Sequence, residues 1–240
     1  MSEGKIKFVI FDTFGTVVDW HGSVVAEGKA WGKKYGVEVD WPKFVNVWRD
    51  DGYIKAILET AKGLRPWELV DSIHAKKLDE LLVQFGLAAM NAEDRAEFNL
   101  SWHRLKPWPD VVSGLTELKR HFAIGPFTNG DFRLILDMAK NSGLPWDFLA
   151  TADLFKKFKP NPEIYRDVAK LLNADPPEIA MVSAHLFDLD GAKAAGFSTI
   201  FIPRPLEYGI THDHIETPNV CGPDYTVQSF EELTALLRGI

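Results

Sequence analysis

The apolar run Ile6-Lys7-Phe8-Val9-Ile10-Phe11 ends on Asp12-Thr13-Phe14-Gly15-Thr16, and this junction constrains the chain more than any other segment. A short apolar run rich in β-branched and aromatic side chains predicts a buried strand. A carboxylate at the carboxyl end of such a strand lies in the crevice where open α/β sheets bind ligands. Gly15 allows a tight turn there and Thr16 is available to hydrogen-bond Asp12, so Asp12 reads as a nucleophile rather than a surface charge.

Downstream, the pattern changes twice. From His21 to His103 no convincing strand is found, only amphipathic helical patterns such as Trp67, Leu69, Val70, Ile73, Leu78, Leu81 and Leu82. From Pro107-Trp108-Pro109 onward, strands and helices alternate: helix 110–120, strand 122–127, helices 131–141 and 162–172, strand 179–182, helix 186–195, strand 199–202 and a last helix near 229–238. That order predicts an α/β fold, a Rossmann-like parallel sheet with crossover helices on both faces. The core is expected over residues 1–18 and 107–240, with an inserted all-helical cap, residues 19–106, above the carboxyl edge of the sheet.

With 240 residues and 46% apolar content, the chain can fill such cores. A net charge of -7 argues against nucleic acid and anionic membrane surfaces as partners, since phosphate needs clustered Lys and Arg. No stretch approaches the roughly 20 apolar residues that cross a bilayer. Met1 to Lys5 lead directly into the first strand and leave no room for a signal peptide, which predicts a cytoplasmic protein. One cysteine, Cys221, excludes an internal disulfide and a Cys-based metal site, and reads as an incidental thiol in a late loop. His212-Asp213-His214 has a metal-compatible spacing but no evident third ligand, so a polar loop is expected.

Four motifs fall in order at strand ends: Asp12-Thr13-Phe14-Gly15-Thr16, Phe127-Thr128-Asn129-Gly130, Lys159-Pro160 and Val182-Ser183-Ala184-His185-Leu186-Phe187-Asp188. Together with the helical insert between the first and second, they resemble the haloacid dehalogenase superfamily over nearly the whole chain. Most members resemble Mg²⁺-dependent phosphatases, which carry a general-acid Asp two places after the nucleophile and a metal-ligating Asp four before the last acidic residue. Here those places hold Phe14 and Ala184. Phenylalanine cannot protonate a leaving alkoxide, and alanine offers no oxygen to a hard cation. A halide leaves without a proton, so the two losses fit dehalogenation, with no metal and no cofactor.

The finer resemblance is to the type II (S)-2-haloacid dehalogenases, through Trp48-Arg49 in the cap, through 102–110 and through Arg204-Pro205-Leu206-Glu207-Tyr208-Gly209. The chain departs from that branch at Phe14, where Tyr is frequent, at His185, where Asn is found, and at Phe187, where Trp is found. The resemblance implies that Asp12 attacks C2 of a small anionic 2-haloacid, displaces halide with inversion, and forms an ester that water hydrolyses to a 2-hydroxy acid. It implies that Arg49 and Asn129 cradle the halide, Thr128 and Thr16 hold the substrate carboxylate, and Lys159 sits beside Asp12 and keeps it ionised. Asp188, with Ser183 and His185, then orients or deprotonates the hydrolytic water, while Phe14, Trp48 and Phe187 form apolar walls. An intruding His185 ring would favour the smallest substrates. The resemblance further implies a homodimer. Two rivals stay open: a phosphatase with altered metal ligands, marked by Mg²⁺-stimulated phosphate-ester hydrolysis, and a non-catalytic anion-binding protein, marked by binding without an ester on Asp12.

Overall fold

A computed structural model of the chain describes residues 6–209 and 222–239. Cys221 and His212-Asp213-His214 lie outside the described residues. The chain begins with β1 (Phe8–Phe11) and β2 (Val18–Asp19), then enters a helical segment. That segment comprises α1 (Trp20–Tyr35), α2 (Trp41–Val47), a π-helix (Trp48–Ile54), α3 (Lys55–Ala61), α4 (Val70–Gln84), α5 (Ala92–Asn99) and a 3-10 turn (Leu100–Arg104). It returns through β3 (Lys106–Pro107), which pairs antiparallel with β2. The remainder alternates: α6 (Val111–Leu118), β4 (Ala123–Thr128), α7 (Phe132–Ser142), β5 (Ala150–Thr151), α8 (Ala152–Phe155), α9 (Pro162–Leu171), β6 (Ile179–Ser183), α10 (Leu186–Ala194), β7 (Ser198–Phe201), β8 (Tyr225–Thr226) and α11 (Phe230–Gly239).

Six strands form one parallel sheet in the order β5-β4-β1-β6-β7-β8. β1 is central, hydrogen-bonded to β4 on one side and β6 on the other, so the strand order reverses at β1. The carboxyl end of β1 is therefore the topological switch point, where open α/β sheets leave a crevice. Asp12 is the first residue beyond it, with its amide donating to the Val182 carbonyl at 3.0 Å.

Period-two alternation along β1 divides the core. Val9 and Phe11 point to the face covered by Leu115, Leu134 and Phe230 of α6, α7 and α11, a cluster that continues into the helical segment. Ile10 points to the other face, with Ile164 and Val168 of α9 and Leu189 of α10. All three strand residues are fully buried, each side chain stabilising by about 1.5–3 kcal/mol. The expected parallel sheet with helices on both faces is thus observed. The edge strands β5 and β8 and the π-helix were not read from sequence: two-residue strands are too short to show a period. Among the described residues no helix is long and apolar enough to cross a membrane.

Two local features bear on the site. Gly15 has φ +88, and a Cβ there would lie 2.1 Å from Glu207 Oε1, so the position requires glycine for both backbone and space. The π-helix carries Trp48 and Arg49. Such insertions of extra backbone into a helix recur at functional sites, where they re-aim side chains.

Candidate active site

Asp12 is 7% exposed and both of its carboxylate oxygens are occupied by donors. Thr16 Oγ1 donates to Oδ2 at 2.7 Å and Lys159 Nζ to Oδ1 at 3.0 Å, while His185 Nδ1 lies 3.0 Å from Oδ2. Thr16 is itself fixed, because the Ala184 amide donates to its Oγ1 at 2.8 Å. Burial alone would raise the pKa of Asp12, but Lys159, His185 and Thr16 outweigh it and hold the carboxyl well below the usual carboxylate range. Asp12 is thus a buried anion, held by protein donors and facing the cavity.

Lys159 is 2% exposed and bonds three ways, to Asp12, to the Phe127 carbonyl at 2.8 Å and to Asp188 Oδ2. Burial opposes its charge, yet Asp12 and Asp188 raise its pKa, so it stays an ammonium. Burial raises the pKa of Asp188, against the pull of Lys159. The other oxygen of Asp188 accepts from Tyr165 OH at 2.7 Å. Both Asp188 oxygens are thus engaged, and the residue does not line the cavity. Ser183 Oγ, also outside the lining, accepts from the His185 amide at 3.0 Å.

His185 bridges two carboxylates. Its Nε2 lies 3.0 and 3.1 Å from the oxygens of Glu207, opposite the contact with Asp12. Burial disfavours the imidazolium, but Glu207 and Asp12 raise its pKa well above 6.5. Glu207 also accepts from Trp20 Nε1 at 2.9 Å and lies 3.6 Å from Arg49 Nη2. Against its own burial, His185 and Arg49 lower its pKa.

Arg49 is 3% exposed, with its guanidinium 4.5 Å from the Trp20 ring centre and 5.3 Å from that of Tyr53. Its Nε and Nη1 find no hydrogen-bond partner among the described residues. Arg49 also lines a cavity, and a buried guanidinium with two undirected donors is able to receive an anion. Asn129 lines the same cavity. Its Oδ1 accepts from Lys159 N at 2.7 Å and its Nδ2 donates to Lys159 O at 3.1 Å, which leaves one amide hydrogen free.

The cavity holds about 470 Å³ and is lined by Asp12, Arg49, Asn129, Lys159 and His185 at its polar end. Phe14, Tyr53, Ile57, Leu58, Phe187 and Tyr208 make its apolar walls. Of the expected wall residues, Phe14 is buried and Phe187 is 40% exposed at the mouth, but Trp48 lies elsewhere. Its ring packs against Phe44, Phe98 and Trp102, and its Nε1 donates to the His74 carbonyl at 2.9 Å. Thr128 and Thr16 are fully buried outside the lining, and the Thr128 hydroxyl accepts from the Gly130 amide at 3.2 Å. Ala184 presents only a methyl group where a ligating oxygen would be needed for a cation.

Sequence reasoning missed Glu207 and Tyr165 as parts of this network. Glu207 lies within 204–209, a stretch recognisable by resemblance but without a signal that its carboxylate is buried. Tyr165 had one: it falls among Ile164, Val168 and Ala169 on the buried face of α9, where a phenol needs a partner.

The profile of the haloacid dehalogenase-like hydrolase family matches residues 6–196. Haloacetate dehalogenase H-2 of Moraxella sp. (strain B) is 29% identical, over 97% of this chain and 98% of the relative. A solved defluorinating L-2-haloacid dehalogenase superposes with a TM-score of 0.91 at 36% identity, covering 97% and 95% of the two chains. The L-2-haloacid dehalogenase from Xanthobacter autotrophicus, solved with chloropropionic acid covalently bound, gives a TM-score of 0.81 at 26% identity, covering 98% and 99%.

Proposed function

Because this chain belongs to the haloacid dehalogenase-like hydrolase family, we propose that it hydrolyses short 2-haloalkanoic acids to 2-hydroxy acids through an ester on Asp12. The observation that carries this reading is the ionised, buried Asp12 sharing one cavity with Arg49, whose Nε and Nη1 are free to take an anion. Relatives that act on haloacetate and 2-haloacids, and one solved with chloropropionic acid covalently bound, support it.

In the first step an Asp12 oxygen attacks C2 while the carbon–halogen bond breaks, with inversion, and the halide takes the bonding pair. Arg49 and the free Asn129 hydrogen receive the charge that develops on the halogen. Lys159 and Thr16 hold Asp12 in line.

Ester formation removes the negative charge that His185 faced. The imidazolium keeps Glu207 but loses its other anion, so its pKa falls and it releases a proton as the halide departs. Its freed Nδ1 then takes a proton from the water that attacks the Asp12 carbonyl carbon, while Glu207 holds Nε2–H. The acyl–oxygen bond breaks, the alkoxide is protonated from His185 or solvent, and Asp12 returns. One haloacid and one water give one hydroxy acid, one halide and one proton. Asp188 serves in this scheme by fixing Lys159.

The segment 19–106 acts as a cap over a core of 1–18 and 107–240, closing to exclude water during chemistry. A homodimer is part of the same proposal, on the strength of the family resemblance. A cytoplasmic setting fits a chain whose one cysteine can form no internal disulfide. Halide release from fluoro-, chloro- and bromoacetates and from the 2-halopropionates tests the reading. Release from at least one member is expected; no release from any, with Mg²⁺-dependent hydrolysis of a phosphate ester instead, contradicts it.

A further inference from the structure

Asp131 stands at the N-cap position of α7, yet its side chain caps nothing in that helix. Its Oδ1 accepts from the Val70 amide at 3.0 Å and its Oδ2 from the Asp71 amide at 2.9 Å, the first turn of α4. The vacated role at α7 is taken by Asp153, whose Oδ1 accepts from the Phe132 amide at 3.1 Å. At α4 the preceding residue, Leu69, offers no side-chain cap. A helix of the 19–106 segment is thus capped by a carboxylate from the loop that carries Asn129. That carboxylate is 3% exposed.

His103 adds a second tie at the same joint. Its Nε2 lies 3.0 Å from Asp71 Oδ1 and its Nδ1 3.0 Å from Asp137 Oδ2 on α7, so Asp71 is gripped by backbone and by side chain.

The grip reaches Arg49. Trp48 Nε1 donates to the His74 carbonyl of α4, the His74 ring lies 5.5 Å from Tyr53, and a Cβ on Gly52 would lie 2.7 Å from Lys77 Cγ. The π-helix is therefore packed directly on α4. Arg49 and Asn129 come from separate segments and, to share one halide, must both lie within contact distance of it.

We propose that Asp131 is a positioning residue for the reaction: by capping α4 across the joint it sets the distance between Arg49 and Asn129. The inference rests on the dehalogenase reading for its kinetic arm only.

Asp131→Ala and Asp131→Asn, each alone and combined with Arg49→Ala, test it in the full chain. Amide hydrogen exchange should show Val70 and Asp71 losing protection in Asp131→Ala. Its single-turnover rate constant should fall by about tenfold to a hundredfold, with a smaller change in KM. Asp131→Asn, which keeps one acceptor oxygen, should lie between the two. In the Arg49→Ala background, Asp131→Ala should cost less than about twofold more, because residues that act through one another are not additive. A merely destabilised fold lowers the active fraction and leaves the single-turnover rate constant unchanged. Wild-type protection and rate in Asp131→Ala, or multiplicative losses in the double variant, overturn the proposal. If Asp131→Ala does not fold, the same two outcomes in Asp131→Asn decide. A wild-type protein that releases no halide fails the dehalogenase reading, and exchange at Val70 and Asp71 still shows whether Asp131 caps α4.

Discussion

His185 Nε2 and Glu207 Oε1 are 3.0 Å apart although Glu207 enters from a loop after β7 that the motif pattern assigns no role. The pair is buried, and the opposite ring nitrogen faces the nucleophile. In the proposed cycle its charge state follows the chemistry: imidazolium beside ionised Asp12, imidazole once Asp12 is esterified. A residue read from sequence both as a shaper of the pocket and as a helper of Asp188 in handling the hydrolytic water becomes the water-activating base of the proposed cycle.

His185→Ala should form the ester and hydrolyse it slowly. Loss of a general base costs about 10²–10⁴ in rate, so rapid mixing should show a burst of halide equal to the enzyme concentration. The peptide containing Asp12 should carry the added mass of the carboxyalkyl group. Absence of a burst would move His185 to the first step. His185→Asn tests the steric reading, with an unchanged ratio between haloacetates and longer acids arguing against it.

Glu207→Gln separates the two carboxylates by pH. His185 gains an elevated pKa on folding, so its contribution to stability is fully present below about 6.5 and is lost as pH rises through the raised value. Glu207 has a lowered pKa, so its contribution is present above about 4.5 and is lost as pH falls through the lowered value. The thermal-midpoint difference between wild type and Glu207→Gln should be greatest between these limits. There it should correspond to about 3 kcal/mol, the usual cost of breaking a buried pair. A difference independent of pH would show that His185 is not held as a cation.

Arg49→Ala should lower turnover by about 10²–10³, with a smaller change in KM, since halide charge develops chiefly in the transition state. A rise in KM alone would make Arg49 an anchor for the substrate carboxylate instead.

The parallel core was legible because its strands are apolar runs and its helices carry a clear period, as in β4 and α9. Asp12 and Asn129 were legible because each follows a strand end in a motif, and Lys159 was legible from the motif order alone, since it lies in the loop between α8 and α9. What escaped the sequence was cross-chain: the Glu207–His185 contact spans a loop, and the cap of α4 comes from a carboxylate 60 residues downstream. Local patterns report what a residue does within its own helix or strand. Asp131 stands at the start of the helix expected over 131–141, and only the fold shows its side chain turned to another helix. Trp48 shows the converse, an aromatic next to Arg49 that belongs to packing.

Dehalogenation should survive exhaustive treatment with EDTA and gain nothing from Mg²⁺. A divalent ion beside Asp12 would meet the Lys159 ammonium, itself 3.0 Å from Asp12 Oδ1, and a methyl group at Ala184, and would tie up the attacking oxygen. Loss of activity on chelation, restored by Mg²⁺, would reopen the phosphatase reading.

The central claim is that Asp12 attacks carbon and carries the ester. Asp12→Asn should fold with its neighbours in place and release no halide, since the amide keeps the shape and loses the nucleophile. The most direct measurement is a single turnover in ¹⁸O-water with enzyme in excess, followed by mass analysis of the Asp12 peptide and of the hydroxy acid. Hydrolysis of the ester at the side-chain carbonyl places the label in Asp12 and leaves the first-turnover product unlabelled. Label in that first product, with none in Asp12, would mean direct attack by water and would contradict the account.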